Sequence, residues 1–266
     1  MKRITITIDV EQDCPPFLGT MRGIEEGLPR LIELFRNKEI RATFFTTGKV
    51  AELYPETIAQ IPEDGHELGC HGYAHERFDK VDKEQAGIAI AKAKDVLEDI
   101  GPSIVSFRAP NLKFPLKYME ILQENGFKID SSIAKYKPPF PRKPYTIDGI
   151  IRIPASITSS FLRLPLAVIL PMLDHMHDPV LFIHPWEFID MTNSPIRWDC
   201  KFNTGKVALQ NLSAVIMHFK KKGYSFLTLH EMAIGNNIYE RRRSYRITEN
   251  ETGTPSQTKR EECSGR

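Results

Sequence analysis

At 266 residues, 41% hydrophobic and 26% charged, the chain has the ordinary make-up of a globular protein and is long enough to bury a large core. A formal net charge of +2 with a pI near 8.3 is too small to imply nucleic acid as a partner. Four scattered cysteines (Cys14, Cys70, Cys200, Cys263) form no CxxC pair, which argues against a disulfide framework and a cysteine-rich zinc site.

The opening residues MKRITITIDVEQD lack the apolar core and small-residue cleavage site of a signal peptide, so a cytoplasmic protein with reduced thiols is expected. Within them Ile4-Thr5-Ile6-Thr7-Ile8 alternates as a strand and stops at Asp9. Apolar residues at helical spacing predict a helix over 25–38, followed by a strand at 42–48 and a helix over 50–61. A short strand at 67–70 precedes a strongly patterned helix over 83–100, which Gly101-Pro102 stops. Strands at 104–107 and 127–130 flank a helix over 116–125. The second half is less regular. A proline-rich loop covers 135–144, strands are expected at 150–154 and 179–183, a helix over 205–222 and a last strand at 225–229. The longest apolar stretch, 157–173, is broken by Arg163 and two prolines, so no membrane span is expected. From 239 onward the composition is polar, which reads as a disordered tail following a catalytic domain over 1–238.

Strand and helix alternate at least four times, which favours a parallel sheet or barrel with outer helices. In such folds reactive residues gather where strands end, and Asp9, His71, Arg108 and Asp130 all fall there. His71 and His75 are four apart, a spacing that on a helical turn presents both imidazoles on one face as ligands for a divalent ion. His66, one strand earlier, reads as structural. The cluster Asp9, Glu11 and Asp13 offers a carboxylate as third ligand, since acids packed at a strand end need exposure, a partner or a cation. Arg108 can hold such a carboxylate ionised through a bidentate contact, and His184, at the end of an apolar strand, can protonate a leaving amine.

Taken in order, TIDVE, ATFFTTGKVAE, GHELGCHGYAH, FRAPN, GFKIDSS and LFIHPWE resemble the polysaccharide deacetylase superfamily (the NodB-homology, carbohydrate esterase family 4 group) from Ile4 to about His230. The resemblance implies a deformed (β/α) barrel of about seven parallel strands with outer helices, and a metal-dependent N-deacetylase. By position it makes Asp9 the catalytic base, Arg108 its positioning partner and His184 the general acid. His71 and His75 become metal ligands, while Tyr73, Pro110 and Trp186 contact substrate. The commonest family pattern has two adjacent aspartates, but Val10 stands second here. The chain looks like the branch with a DxE first motif, which puts Glu11 on the ion with Asp13 as competitor. Zinc is the expected ion for a His₂-carboxylate site. The oxyanion would be met by the metal and by a backbone N–H near Cys14 or Tyr73.

Two substrate classes follow: an N-acetylated amino sugar or glycan, and, as in allantoinase-like or cyclic-imide-hydrolysing relatives, a small amide. An open groove with aromatic walls favours the first, a closed arginine-lined pocket the second. A non-catalytic carbohydrate-binding relative would have lost its base or acid, yet Asp9 and His184 are both present. A homo-oligomer is compatible with the sequence.

Overall fold

The computed structural model describes residues 2–101, 103–138, 140 and 143–235. The expected tail at 239–266 lies outside them. The first half runs β1 (Arg3–Val10), α1 (Leu28–Asn37), β2 (Thr43–Thr46), α2 (Gly48–Leu53), α3 (Pro55–Glu63), β3 (Glu67–Cys70), α4 (Lys83–Glu98) and β4 (Ser106–Phe107). The second half runs α5 (Met119–Glu124), β5 (Ile129–Asp130), β6 (Tyr145–Ile147), β7 (Ile150–Arg152), α6 (Leu166–Asp174) and β8 (Val180–Ile183). It ends with α7 (Trp198–Lys201), α8 (Lys206–Lys221), β9 (Ser225–Phe226) and α9 (Leu229–Gly235).

The sheet order is β6-β7-β5-β4-β3-β2-β1-β8, parallel except for the β6–β7 hairpin, with β9 adding two parallel residues to the start of β1. Closure between the ends of this sheet is made by Ser156. Its N–H donates to the Val180 carbonyl at 2.8 Å, and its hydroxyl accepts from the Val180 N–H at 2.9 Å. The fold is thus a mostly parallel, curled barrel with outer helices, as expected from the sequence.

The alternation read in β1 sorts its residues between two interiors rather than between core and solvent. Ile4, Ile6, Ile8 and Val10 pack outward with Leu28, Leu31 and Phe35 of the first helix in the main core. Each such buried aliphatic side chain contributes roughly 1.5–3 kcal/mol. Thr5, Thr7 and Asp9 are buried too, and Thr7 donates to the Leu181 carbonyl of the neighbouring strand at 2.8 Å. A smaller cluster of Phe45, Ile129, Ile151, Val180, Leu229 and Met232 fills the space between the strands and the last helix.

Several expectations needed correction. The helix expected over 50–61 is two helices, broken at Tyr54 (φ −132°, ψ 49°) before Pro55, because a residue preceding proline is driven out of the helical region. The apolar stretch 157–173, to which the sequence reading assigned no element, becomes a 3₁₀ turn (Ser159–Arg163) and α6 on the outside of the barrel. The final strand is only two residues long, and helix α9 begins at Leu229.

Candidate active site and metal centre

Strand β1 delivers three acids that take three different partners. Asp9 accepts a 2.7 Å hydrogen bond from Arg108 Nη1, which also donates to Thr7 Oγ1 at 2.7 Å. Arg108 Nη2 donates to Ser131 Oγ at 2.9 Å, and its plane lies 4.4 Å over the Phe45 ring. The expected bidentate contact is therefore absent: the rest of the fork is held by Thr7 and Ser131, and one N–H remains for Asp9. Arg108 is fully buried and Asp9 nearly so. Removing one partner of such a pair typically costs about 3–5 kcal/mol. Asp130 does not reach the cleft. It pairs with Arg152 at 2.6 Å and bonds Ser132, whose hydroxyl accepts from the Ala109 N–H and so braces the strand end that carries Arg108.

Glu11 lies 3.2 Å from His71 Nε2 and 2.8 Å from His75 Nε2. One ligand atom from each of the three residues falls within 4.8 Å of the others, the one such group found among the described residues. Burial by itself would raise the Glu11 carboxyl; the His75 charge and the hydrogen bonds from His71 and His75 outweigh it and hold the group well below the usual carboxylate range. His71 Nδ1 donates to the Arg108 carbonyl at 2.7 Å, which turns Nε2 toward Glu11 as the ligand nitrogen. A buried carboxylate and two imidazoles of this kind fit a divalent ion with one coordination position open.

The two histidines are not brought together by a helix, contrary to the spacing argument. His71 directly follows β3, Gly72 has φ +76° and His75 has φ +64°. The turn is closed by Glu76, which accepts from the Tyr73 and Ala74 N–H groups at 2.9 and 2.7 Å. It is pinned from outside by Gly48 and Lys49, whose N–H groups donate to the Gly72 and Tyr73 carbonyls. Asp13, the competing third ligand, is turned away from the histidines. It accepts from Thr20 Oγ1, the Arg22 N–H and the Gly23 N–H at 2.7–3.0 Å and so closes the loop after Glu11.

His184 approaches from the other side. Its Nδ1 lies 2.7 Å from Glu187 Oε1, and its Nε2 points back to Glu11 Oε1 at 3.7 Å. Burial disfavours its charge, but the Glu187 hydrogen bond and the Glu11, Glu187 and Asp9 charges prevail and raise it to about 9. Glu187, itself buried, is anchored by Arg163 Nε at 2.9 Å. Arg163 Nη1 and Nη2 donate in turn to the Cys200, Phe202 and Asp199 carbonyls. The sequence reading quoted Glu187 within LFIHPWE without giving it a role, although a glutamate three residues after a strand-end histidine is the spacing of a capping box. The sequence reading met Arg163 only as a charge interrupting the apolar stretch 157–173, and the partners that give it a role lie 24 or more positions away.

Two glycines let these sides meet. A Cβ on Gly27 would stand 2.1 Å from the Pro185 carbonyl oxygen, and one on Gly23 would stand 2.6 Å from the Trp186 nitrogen. The π-helical turn Gly23–Gly27 therefore docks directly on the His184 turn.

Between the sides lies a cleft of about 500 Å³ bordered by Asp9, Glu11, His71, His75, His184 and Trp186, with Phe17, Tyr136 and Phe182 as further aromatic wall. Trp186 stacks on His184 with ring centroids 4.9 Å apart. Two expected substrate contacts do not reach this cleft. Tyr73 donates its hydroxyl to Glu52 and lies under Lys92, and its N–H is committed to Glu76, so it supplies neither wall nor oxyanion donor. Pro110 is buried at the start of a short 3₁₀ turn, and the following Asn111 and Leu112 face the cleft instead.

Comparison with known proteins agrees with this barrel. Residues 2–129 match the family model for polysaccharide deacetylase, which bears out the resemblance carried by the sequence motifs. The chain is 34% identical to the peptidoglycan deacetylase of Helicobacter pylori over 110 residues, 41% of this chain and 38% of that protein. It is 30% identical to the peptidoglycan-N-acetylglucosamine deacetylase of Bacillus cereus over 103 residues, 39% and 35% of the two chains. The chain spans only about a third to two fifths of the length of these curated relatives. Among solved structures, a candidate polysaccharide deacetylase from Mycobacterium smegmatis superposes with a TM-score of 0.66 at 19% identity, covering 99% of this chain and 96% of that one. The Bc1960 peptidoglycan N-acetylglucosamine deacetylase gives 0.60 at 18% identity, covering 86% and 87%. At these identities the structural likeness speaks to the fold. A carbohydrate esterase family 4 pseudoenzyme from Bacillus anthracis matches at 0.58, so catalytic competence has to be argued from the residues.

Proposed function

We propose that this chain is a metal-dependent hydrolase that removes the N-acetyl group from an amino sugar within a glycan. The observation that carries the reading is the Glu11–His71–His75 trio, set in one cleft with the Arg108-held Asp9 and the Glu187-held His184. Similarity to deacetylases of peptidoglycan and chitooligosaccharide adds support. A divalent ion held by Glu11, His71 and His75, zinc by the nature of the donor set, would acidify a bound water and polarise the acyl carbonyl.

The residues of the chain supply the rest. Asp9 accepts the proton of the attacking water, and Arg108 holds it in place. His184 carries its proton on Nε2, the nitrogen left free by Glu187, and gives it to the departing amine. Trp186 fixes one face of that imidazole by stacking. With Tyr73 committed elsewhere, the backbone near Cys14 is the remaining place for an oxyanion donor.

An open cleft of about 500 Å³ with aromatic walls suits a sugar better than a small cyclic amide. The arginines on its border do not alter this, since Arg163 is used by Glu187 and backbone carbonyls and Arg197 by Asp199. The test is acetate release from N-acetylglucosamine oligomers, before and after chelation and after zinc is restored. Release that disappears with chelation and returns with zinc supports the reading. Absence of release from every N-acetylated glycan by zinc-loaded protein, with hydrolysis of a cyclic imide, would replace it.

A further inference from the structure

Cys14 and Cys200 lie 186 positions apart in sequence, yet their thiol groups interact directly. Both belong to one small apolar cluster with Trp186, Ile189, Met191 and Ile196, and both border the cleft. Each is wired to a different side of the site. Cys14 follows Asp13, the residue that closes the loop after Glu11. The Cys200 carbonyl accepts from Arg163, which anchors Glu187 and through it His184.

We propose that Cys14 and Cys200 are a redox-modification site, a dithiol that closes reversibly to a disulfide and ties the metal-ligand loop to the segment anchoring the acid. The oxidant is a small-molecule disulfide. The Cys200 thiolate attacks it, forming a mixed disulfide and releasing one small thiol. Cys14 then gives up its proton, its sulfur attacks the Cys200 sulfur, and the second small thiol leaves. Two protein thiols are oxidised and one small disulfide is reduced to two thiols. Exposure favours this order, since Cys200 is partly exposed and Cys14 is buried. The result would extend the sequence-based expectation of reduced thiols to a pair with two stable states.

The experiment equilibrates the full-length protein with graded ratios of oxidised to reduced glutathione, then traps free thiols by alkylation and maps the peptides. The expected result is a Cys14–Cys200 cross-linked peptide in monomeric protein, lost again on reduction. A thermal midpoint higher by a few degrees in the oxidised form is also expected, and absent in Cys200→Ser, because the bond closes a loop spanning most of the chain. Accumulation of a Cys200–glutathione adduct without the cross-link would overturn the proposal, as would alkylation of both cysteines at every ratio up to oxidised glutathione alone. These readouts do not depend on deacetylase activity.

Discussion

The two sides of the cleft are built on different principles. On the β1–β4 side, Asp9, Glu11, His71 and Arg108 stand at the ends of β1, β3 and β4, which are joined in parallel register through β2, so the hydrogen-bond ladder itself sets their spacing. On the β8 side, His184 owes its position to a relay of buried charges, Glu187 and then Arg163, that ends on the backbone of residues 199–202. A ladder tolerates change at one side chain, because the strand stays where it is. The relay adds buried side-chain anchors to the β8 strand end, so the loss of one member is felt directly by His184.

The largest effect is expected on the ladder side, from loss of a first ligand. His71→Ala should remove the ion and lower turnover by more than about a thousandfold, while far-UV circular dichroism stays unchanged. Bound metal at wild-type stoichiometry in that variant would remove His71 from the site. On the relay side, Glu187→Gln should lower turnover by about 10–100-fold with metal retained, in the range seen for residues that orient an active group. It should also move the pH profile. His184 is raised to about 9 by Glu187 and the neighbouring carboxylates. Since the donor must be protonated, wild-type activity should fall on the basic side as His184 loses its proton, and the Glu187 charge, which a bound ion leaves in place, holds that limb above the ordinary histidine range. Without the Glu187 charge that basic limb should shift downward. By linkage, the same raised value gives the metal-free protein stability that is full below the ordinary histidine value and is lost as pH rises through about 9. An unchanged basic limb in Glu187→Gln would break the relay account.

The contrast also tracks what the sequence made legible. Strand β3 was read to the residue, and β1 to within two residues, because continuous β-favouring runs and register are local properties. The acids and histidines at those strand ends followed from position alone. The histidine turn was misread as helical because Gly72 and His75 both adopt positive φ, which spacing does not reveal. The choice between Glu11 and Asp13 stayed open because it depends on contacts with Thr20, Arg22 and Gly23, made only when the loop closes. The role of Arg163 was hidden for a similar reason, its partners being distant in sequence.

Smaller effects refine the same comparison. Asp13→Asn should keep the ion but lose one acceptor of the loop closure, a destabilisation of about 1–3 kcal/mol in urea unfolding. Loss of metal equal to that in Glu11→Gln would restore Asp13 as a ligand. Tyr73→Phe removes only an exposed contact with Glu52, so stability should change by no more than about 0.5 kcal/mol and KM for N-acetylglucosamine oligomers should be unaffected. A marked rise in KM would return Tyr73 to the substrate site.

The measurement that bears most directly on the central claim compares acetate release and bound zinc, side by side, for the wild type and Asp9→Asn. The expected result is a loss of release by at least about a hundredfold with zinc at the wild-type stoichiometry, which would separate the base from the ligands. Near wild-type release by Asp9→Asn would contradict the account.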